Sequence, residues 1–282
     1  MTRRILVVVN PHREDAARAA ELVTSALEAA DIEVLTDFDP ATGASVEAAV
    51  VLGGDGTILH AAALTRGTGV PLLGINLGHV GFLAEAERED ITNAIQRLVA
   101  GDYAIEERGT LEVLVKQPNG DTEKGWALNE AAVERANLRR TVELAIEVDG
   151  RPVSTFGCDG VVISTATGST AHAFSAGGPI LWPNVDALLF VPLAAHALFA
   201  RPLVVGPESW FAVEVTERSE SDAQVVLDGS RSIDVQRGGR VEVRKAAQPV
   251  KLARMSEAPF TERLVRKFSL PVNGWRGPVQ DG

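Results

Sequence analysis

A single carboxylate stands among glycines in the segment VVLGGDGTILHAAA, residues 50–63. At its centre lies Gly53-Gly54-Asp55-Gly56-Thr57, followed by His60. A glycine-rich turn that leads into a helix usually binds anions, because free N–H groups and the positive end of the helix dipole point at the ligand. Two purposes would suit a carboxylate there. Asp55 could cap the helix by accepting an N–H bond from the next turn, or it could take a proton from a bound substrate.

Two common phosphate-binding motifs are excluded at this turn. The dinucleotide fingerprint G-x-G-x-x-G fails because Leu59 stands where its third glycine belongs. The loop G-x-x-x-x-G-K-[ST] is absent, since the chain contains no Gly-Lys-Ser or Gly-Lys-Thr. The glycines therefore indicate a close approach of the backbone to a ligand without identifying that ligand.

Two further segments carry polar groups in apolar surroundings. Asn129 and Glu130 lie between apolar residues in WALNEAAVE, and a loop of small residues, Thr165–Thr170, lies within CDGVVISTATGSTAHAFSAGGP. The hydroxyl and N–H groups of such a loop can line a polar ligand without steric bulk. Taken singly, the first segment is explained as a sheet edge or strand end and the second as an ordinary loop. Three such features in one chain favour a binding site.

Alternating strands and helices place the first of these segments. The continuous apolar run at 4–9 predicts a strand buried on both faces. Further strands are predicted at 32–35, before Gly53 and at 70–76, with helices at 13–30, 56–66 and 89–102. This alternation indicates a Rossmann-like α/β domain with a parallel sheet. The glycine turn then lies at the carboxyl end of a strand, where such sheets bind ligands.

The pattern changes at about residue 105. Apolar and polar residues then alternate in segments that predict an antiparallel, β-rich sandwich, with a hairpin turn at Asp149-Gly150. Residues 260–268 return to helical spacing and are expected to pack on the first domain. The predicted organisation is an α/β domain of residues 1–104 plus 256–282 and a β-rich domain of residues 105–255. A ligand is expected between them.

Composition excludes several classes of protein. The formal net charge of −11 argues against a nucleic-acid partner, which needs a basic face. The longest apolar run, 187–200, contains Pro192 and His196 and is too short to cross a bilayer, so no membrane association is expected. The apolar stretch near the N-terminus is too short for a signal peptide. Cys158 is the single cysteine, which excludes an internal disulfide and fits a cytoplasmic protein.

Taken in order, the motifs resemble those of NAD kinases. GGDGT, LNE and the run DG…STATGSTA…SAGGP are joined by GINLGHVGFLAE at 74–85, HALFARPLVV at 196–205 and Asp-Gly at 228–229. GGDGT alone is shared with diacylglycerol kinases, sphingosine kinases and phosphofructokinases, whereas the ordered set resembles NAD kinases over nearly the whole chain. The tail at 258–277 resembles that of actinobacterial members.

The resemblance implies an activity. The enzyme would transfer the terminal phosphate of ATP, or of polyphosphate, to the 2′-hydroxyl of the adenosine ribose of NAD, giving NADP, with Mg²⁺ accompanying ATP. It implies a homodimer or homotetramer. Two alternatives stay open: a lipid or other small-alcohol kinase of the diacylglycerol kinase-like group, and a non-catalytic NAD(H)-binding sensor.

Residue roles follow from the same resemblance. Asp55 would face the 2′-hydroxyl and take its proton, while the glycines beside it let the backbone approach the phosphates. Asn129 and Glu130 would bind the adenine-side ribose and the adenine edge, and Phe82 would form an apolar wall near adenine. The remaining candidates are nucleotide-binding positions carried over by motif position: Gly53, Gly54, Gly56, Thr57, His60, Arg140, Asp159, Thr170, Ala171, His172 and Ser175. Asp159 and the segment from Thr170 to Ser175 would contact the nicotinamide end, and Arg140 is equally explained as a solvated strand charge.

The chain departs from the family pattern at four positions. The usual T-P-T-G-S-T-A-Y appears as TATGSTAH, so Ala166 replaces proline and His172 replaces tyrosine. His60 and His79 stand where lysine or arginine is common. These changes reduce loop rigidity, stacking area and permanent positive charge, so they bear on substrate affinity more than on reaction type.

Overall fold

The chain folds into two units, each with its own core. The computed structural model describes residues 2–10, 14–39, 46–78, 80–198, 200–255 and 260–272. The first unit comprises Met1–Glu107 with Val250–Gly282, and the second comprises Arg108–Pro249.

A seven-stranded sheet forms the centre of the first unit. Its main path runs β2-β1-β3-β4-β19-β6, with β5 paired to β4. The pairings of β1 with β2 and β3, of β3 with β4, and of β4 with β5 and β19 are parallel. The strands are β1 (Arg4–Val9), β2 (Glu33–Leu35), β3 (Ala48–Leu52), β4 (Leu72–Asn76), β5 (Ala86–Glu87), β6 (Ala104–Arg108) and β19 (Val250–Arg254). The Rossmann-like prediction is confirmed.

The first unit also contains α-helices. They are α1 (Glu14–Glu28), α2 (Asp55–Leu64), α3 (Ile91–Ala100) and α5 (Phe260–Phe268). On α1, Ala16, Ala19, Val23 and Leu27 belong to the core cluster. Leu22 fits the same apolar spacing but is 64% exposed. Apolar spacing therefore identifies the helix, but it does not by itself tell which apolar residues are buried.

Two antiparallel six-stranded sheets make up the second unit. One has the order β11-β10-β15-β18-β7-β8 and the other β14-β13-β12-β9-β16-β17. Their strands are β7 (Leu111–Lys116), β8 (Thr122–Ala127), β9 (Glu130–Arg135), β10 (Val142–Val148), β11 (Arg151–Cys158), β12 (Gly160–Ser164), β13 (Leu188–Leu193), β14 (Leu203–Val205), β15 (Trp210–Val215), β16 (Ala223–Leu227), β17 (Arg231–Val235) and β18 (Arg240–Lys245).

A single apolar core joins these two sheets. Residues of both belong to one buried cluster, and the rings of Phe190 on β13 and Phe211 on β15 stack across it with centroids 5.4 Å apart. The other face of the second sheet packs against the short helix α4 (His172–Ser175) through Ala132, Val162 and Ala173. The predicted β sandwich is confirmed.

The two units meet in sequence at slightly different points from those predicted. The structure divides the chain at 107/108 and at 249/250, against the predicted 104/105 and 255/256. At the second point the difference arises from β19, which pairs in parallel with β4 of the first sheet through Leu252 and Leu72. Its sequence, VKLAR, mixes apolar and polar residues much as the antiparallel strands of the sandwich do, so sequence pattern could not assign it to the right sheet.

The predicted hairpin turn is confirmed, and the single cysteine is buried. Asp149 and Gly150 have φ values of 52° and 73°, as a two-residue hairpin turn requires, and they join β10 to β11. Cys158 is fully buried, its thiol donates to the Val142 carbonyl at 3.7 Å, and burial raises its pKa to about 12.

Among the described residues, no helix is both long and apolar enough to pass through a bilayer.

The C-terminal helix returns to the first unit through an ion cluster. The side chain of Glu85 is 2% exposed and accepts from Arg254 at 3.1 Å, from Arg263 of α5 at 2.9 Å and from the Met255 N–H at 2.9 Å. Two guanidinium groups are thus held against one buried carboxylate, which ties α5 and β19 to the segment after β4.

Glu85→Gln should strongly destabilise the protein. It leaves Arg254 and Arg263 without their shared buried anion, a change that typically costs about 3–5 kcal/mol. The matched control is Glu47→Gln, because Glu47 pairs with Arg3 at the surface, where a pair contributes about 1 kcal/mol or less. Urea unfolding of both variants measures the difference, and equal losses would contradict the assignment.

Candidate functional site

The glycine turn connects a fully buried strand to a helix. The N–H of Gly53 donates to the Ile75 carbonyl at 3.0 Å, which ties the turn after β3 to the end of β4. Gly54 is the N-cap of α2, and Asp55 is its first residue. The turn therefore lies at the carboxyl ends of two parallel strands, as the sequence predicts.

Its glycines serve different purposes. A Cβ at Gly53 would lie 2.2 Å from the Thr57 hydroxyl oxygen, so packing within the turn requires a glycine there. Among the described parts of the chain, a Cβ at Gly54 or Gly56 would meet nothing within 4 Å. These two positions face open space, which leaves room for a ligand to approach the backbone.

The carboxylate of Asp55 binds a segment far away in sequence. Its two oxygens accept the backbone N–H groups of Phe82 at 2.9 Å and Leu83 at 3.0 Å. Asp55 is therefore not the N-cap of α2. It is the first residue of the helix, and its carboxylate binds the backbone of the loop that follows β4. A carboxylate has about four acceptor positions, so two remain for a substrate.

A glycine makes this contact possible. A Cβ at Gly81 would lie 2.3 Å from Oδ1 of Asp55. Only a residue without a side chain lets the loop come this close to the carboxylate.

The other candidates of the first unit differ in their exposure to solvent. Thr57 is half-buried and His60 exposed, both on α2. Phe82 is 7% exposed, and its ring packs against Phe260 and Phe268 of α5, with centroids 5.7 and 6.0 Å away. Its proposed contact with adenine stays a prediction, since little of the ring is open. His79 lies outside the described residues.

In the second unit, a buried carboxylate holds the Asn-Glu turn. Asp228, whose side chain is 1% exposed, accepts the backbone N–H groups of Leu128 at 2.9 Å and Asn129 at 2.7 Å, and that of Glu130 at 3.4 Å. Arg231 donates to the same carboxylate at 2.8 Å and stacks on Trp126 at 4.6 Å. Burial raises the pKa of Asp228, although these hydrogen bonds and Arg231 oppose the rise.

The small-residue loop is bonded to that turn. The Thr165 hydroxyl donates to the Leu128 carbonyl at 2.7 Å, and the Thr165 N–H donates to the Asn129 carbonyl at 2.9 Å. A Cβ at Gly168 would lie 2.1 Å from the Asn129 carbonyl oxygen. Two motifs that are separate in sequence, the Asn-Glu segment and the small-residue loop, therefore form one constellation.

Two side-chain oxygens in this constellation are buried and have no hydrogen-bond partner among the residues that the structure describes. They are Oδ1 of Asn129 and Oε2 of Glu130, on residues that are each 7% exposed. Burial, and then the nearby Asp228 carboxylate, raise the pKa of Glu130 to about 8, against an opposing N–H bond from His172. Buried polar atoms in native proteins are almost always paired, so these two oxygens point to a ligand that completes them.

The segment from Thr170 to Ser175 follows directly. Thr170 and Ala171 are half-buried at the end of a 3₁₀ turn, and Ser175 ends α4 in an exposed position. His172 begins α4, and its Nδ1 lies 4.0 Å from a Glu134 carboxylate oxygen. The histidine thus stands beside two glutamates, Glu130 and Glu134.

Two candidates lie apart from this constellation. Asp159 directly precedes β12. Glu130 pairs in register with Ser164, at the other end of that strand, so Asp159 lies away from Glu130. The carboxylate of Asp159 forms an ion pair with Arg135 at 2.8 Å. Arg140 is exposed and pairs with exposed Glu220 at 3.2 Å. The solvated-charge alternative therefore describes Arg140 in this structure.

Sequence reasoning noted Asp228 only as part of a family motif and did not single out Gly81 or Arg263. The signal that the sequence offered for Asp228 was an aspartate before glycine, directly after the apolar run Val225–Leu227. The described residues contain no cluster of three or more His, Cys, Asp or Glu side chains that could hold a metal.

Comparisons with known proteins agree across the chain. A family model described as the ATP-NAD kinase N-terminal domain matches residues 13–103, and one described as the ATP-NAD kinase C-terminal domain matches residues 128–255. The chain is 53% identical to the NAD kinase of Leifsonia xyli subsp. xyli, with 98% of this chain and 97% of that one covered. It is 49% identical to NAD kinase 2 of Streptomyces avermitilis at the same coverage.

Solved structures show the same fold. A yeast NADH kinase complexed with NADH superposes with a TM-score of 0.86 at 22% identity, over 96% of this chain and 89% of that one. An Archaeoglobus fulgidus NAD kinase in complex with ATP gives a TM-score of 0.75 at 27% identity, over 96% and 100%.

Substitutions at the two kinds of glycine should separate packing from ligand approach. Gly53→Ala should lower the free energy of unfolding by about 1–3 kcal/mol, because its Cβ meets Thr57. Gly56→Ala should raise it by about 0.5–1 kcal/mol, since alanine favours a helix, and should weaken MgATP binding. Urea unfolding and calorimetry measure both effects. Unchanged MgATP affinity in Gly56→Ala would contradict a ligand approach at this position.

The raised pKa of Glu130 predicts a pH-dependent stability. The proton is bound more tightly in the folded than in the unfolded state, so this stabilisation is complete below the ordinary glutamate pKa of about 4.5 and is lost as pH rises through about 8. Relative to Glu130→Gln, the wild type should lose up to about 1.4 kcal/mol per pH unit in that window. Urea unfolding from pH 5 to 9 tests this, with exposed Glu123→Gln as control. Parallel wild-type and Glu130→Gln curves would contradict it.

Proposed function

The chain belongs to the NAD kinase family and phosphorylates NAD to NADP, and from this premise we propose that Asp55 directs the transfer. Phosphoryl transfer depends on positioning an alcohol and stabilising charge more than on covalent chemistry by the protein. Asp55 would accept the proton of the ribose 2′-hydroxyl with the acceptor positions that Phe82 and Leu83 leave open. The open space beside Gly54 and Gly56 would take the phosphates.

The two unpaired buried oxygens carry the assignment of the NAD site. Oδ1 of Asn129 can accept from a hydroxyl or from an amino group on an adenine edge. With a pKa of about 8, Glu130 holds a proton at neutral pH, so its carboxyl group both donates and accepts. A ribose diol has the same two capacities, which makes it a suitable ligand for this pair.

The two alternative functions receive no such support. A kinase that shared only the GGDGT turn would not be expected to match a family model over residues 128–255 as well. A non-catalytic sensor would not need a carboxylate held at the glycine turn.

We propose Mg²⁺ as the cofactor, bound with ATP. Magnesium is usually held by one or two carboxylates together with substrate phosphates, and Asp55 is a carboxylate with free acceptor positions beside an open turn. The residues therefore fit the ion. When bound, it would offset negative charge on the phosphates.

The remaining parts of the proposal rest on the positions that residues occupy in the family's motifs. Asp159, His172 and Ser175 would contact the nicotinamide end of NAD. The protein would act in the cytoplasm, which its single buried cysteine suits, as a homodimer or homotetramer. ATP is proposed as the principal donor over polyphosphate.

Asp55→Asn should lower turnover on the order of 10²-fold or more, the scale of losing a general base. Asparagine offers one oxygen to the N–H groups of Phe82 and Leu83, so stability must be measured alongside. The assay contains NAD, MgATP and an NADP-dependent dehydrogenase as reporter. EDTA, polyphosphate in place of ATP and NADH in place of NAD test the cofactor and substrates.

The matched control is Asp37→Asn, an exposed aspartate of the same unit, which should leave turnover unchanged. If Asp55→Asn, once corrected for its folded fraction, turned over at the wild-type rate, Asp55 would be a structural residue alone.

A further inference from the structure

Arg263 and Lys267 of the C-terminal helix α5 make polar contacts with the loop that binds Asp55. We propose that α5, chiefly through Arg263, is a positioning element for the Asp55 carboxylate, acting through the loop of residues 80–85. The inference rests on the proposed function of Asp55 and adds to it residues that do not touch the substrate.

Arg263 fixes both the backbone and a side chain of this loop. Its Nη1 donates to the Ala84 carbonyl at 2.6 Å and to the Phe82 carbonyl at 3.3 Å. Its Nη2 donates to Glu85 at 2.9 Å. The planar, forked guanidinium serves these acceptors together, a geometry that a lysine ammonium cannot reproduce.

One peptide group separates Arg263 from Asp55. The carbonyl of Phe82 accepts from Arg263, and the N–H of the same peptide group, carried by Leu83, donates to Asp55 at 3.0 Å. A cation on the carbonyl polarises the peptide and strengthens its N–H as a donor, because hydrogen bonds in a chain reinforce one another. Arg263 therefore acts on both the place and the strength of one of the two bonds to the carboxylate.

Neighbouring side chains hold the rest of the loop. Nζ of Lys267 donates to the Val80 carbonyl at 2.6 Å, and Arg254 donates to the Leu83 carbonyl at 3.0 Å. The ring of Phe82 contacts Phe260 and Phe268, one at each end of α5. The loop is thus fixed on its carbonyl side by cations and on its N–H side by Asp55.

The helix itself adds little to the core. None of its residues is fully buried. Shortening Arg263 should accordingly loosen the loop more than it disturbs the sheet. Arg266 supplies a control on the same helix: its side chain is exposed and reaches Glu87 at 3.5 Å, outside the loop.

Amide hydrogen exchange tests the positioning without requiring activity. In Arg263→Ala, exchange at the Phe82 and Leu83 N–H groups should accelerate by about tenfold or more, because these bonds then open locally. Arg266→Ala should stay within about twofold of the wild type. Unchanged exchange in Arg263→Ala would overturn the proposal.

Turnover tests the consequence for Asp55. Arg263→Ala should lower kcat on the order of tenfold to a hundredfold, the cost of a small misplacement, with KM for NAD and ATP within about twofold. Lys267→Ala should lower kcat by a smaller factor, and Arg266→Ala should leave it unchanged. In an Asp55→Asn background, Arg263→Ala should lower kcat by less than about twofold more, because the group it positions is already lost.

Each outcome decides the question. Equal losses of kcat in both backgrounds would mean that Arg263 acts on something other than Asp55, and would overturn the proposal. If Arg263→Ala does not fold, Arg263→Lys replaces it under the same criteria, because a lysine ammonium cannot serve the three acceptors of Arg263 together. If Asp55→Asn keeps wild-type turnover, the proposed function of Asp55 fails, while the exchange rates still report whether α5 holds the loop.

Discussion

The GGDGT turn and the Asn129-Glu130 segment depend on one kind of interaction, in which a carboxylate accepts hydrogen bonds from backbone N–H groups. Asp228 gathers the N–H groups of residues 128–130, and Asp55 gathers those of 82 and 83. Such charge-assisted bonds are stronger than neutral ones and fix backbone that regular strands and helices leave unpaired. The turn that carries Asn129 and Glu130 has its shape because an anion lies beneath it. Burial first, and then this same carboxylate, raise the pKa of Glu130, so the contact that shapes the turn also contributes to the protonation state of Glu130.

Close approach of backbone to these groups requires residues without side chains. Gly53, Gly81 and Gly168 each leave space that a Cβ would fill at 2.2, 2.3 and 2.1 Å from a neighbouring oxygen. None of the three has a positive φ, so their value lies in size and not in conformation. Gly54 and Gly56 differ, since none of the described residues occupies the space beside them. The GGDGT turn thus combines a glycine needed for packing with glycines whose space is open.

Much of this could be predicted from sequence because its signals are local. Continuous apolar runs marked the buried parallel strands, alternation marked the sandwich, and Asp149-Gly150 marked a hairpin. The position of β19 could not be predicted, since its pattern is compatible with either sheet and only long-range pairing with β4 decides. The partners of Asp55 were also hidden, because 27 and 28 residues separate the carboxylate from the N–H groups that it accepts. The family motifs located Asn129 and Glu130, but the unpaired oxygens that make them a site are a property of burial.

The buried state of Cys158 has a practical consequence for spectroscopy. Its thiol lies within the sandwich core with its pKa raised to about 12, so very little of the reactive thiolate exists at neutral pH. The native chain is therefore expected to react very little with maleimide dyes and nitroxide labels. A cysteine introduced at exposed His60 would accept a single reporter next to the glycine turn without removal of the native residue. Fluorescence or electron paramagnetic resonance could then follow the arrival of a nucleotide in an otherwise unmodified protein.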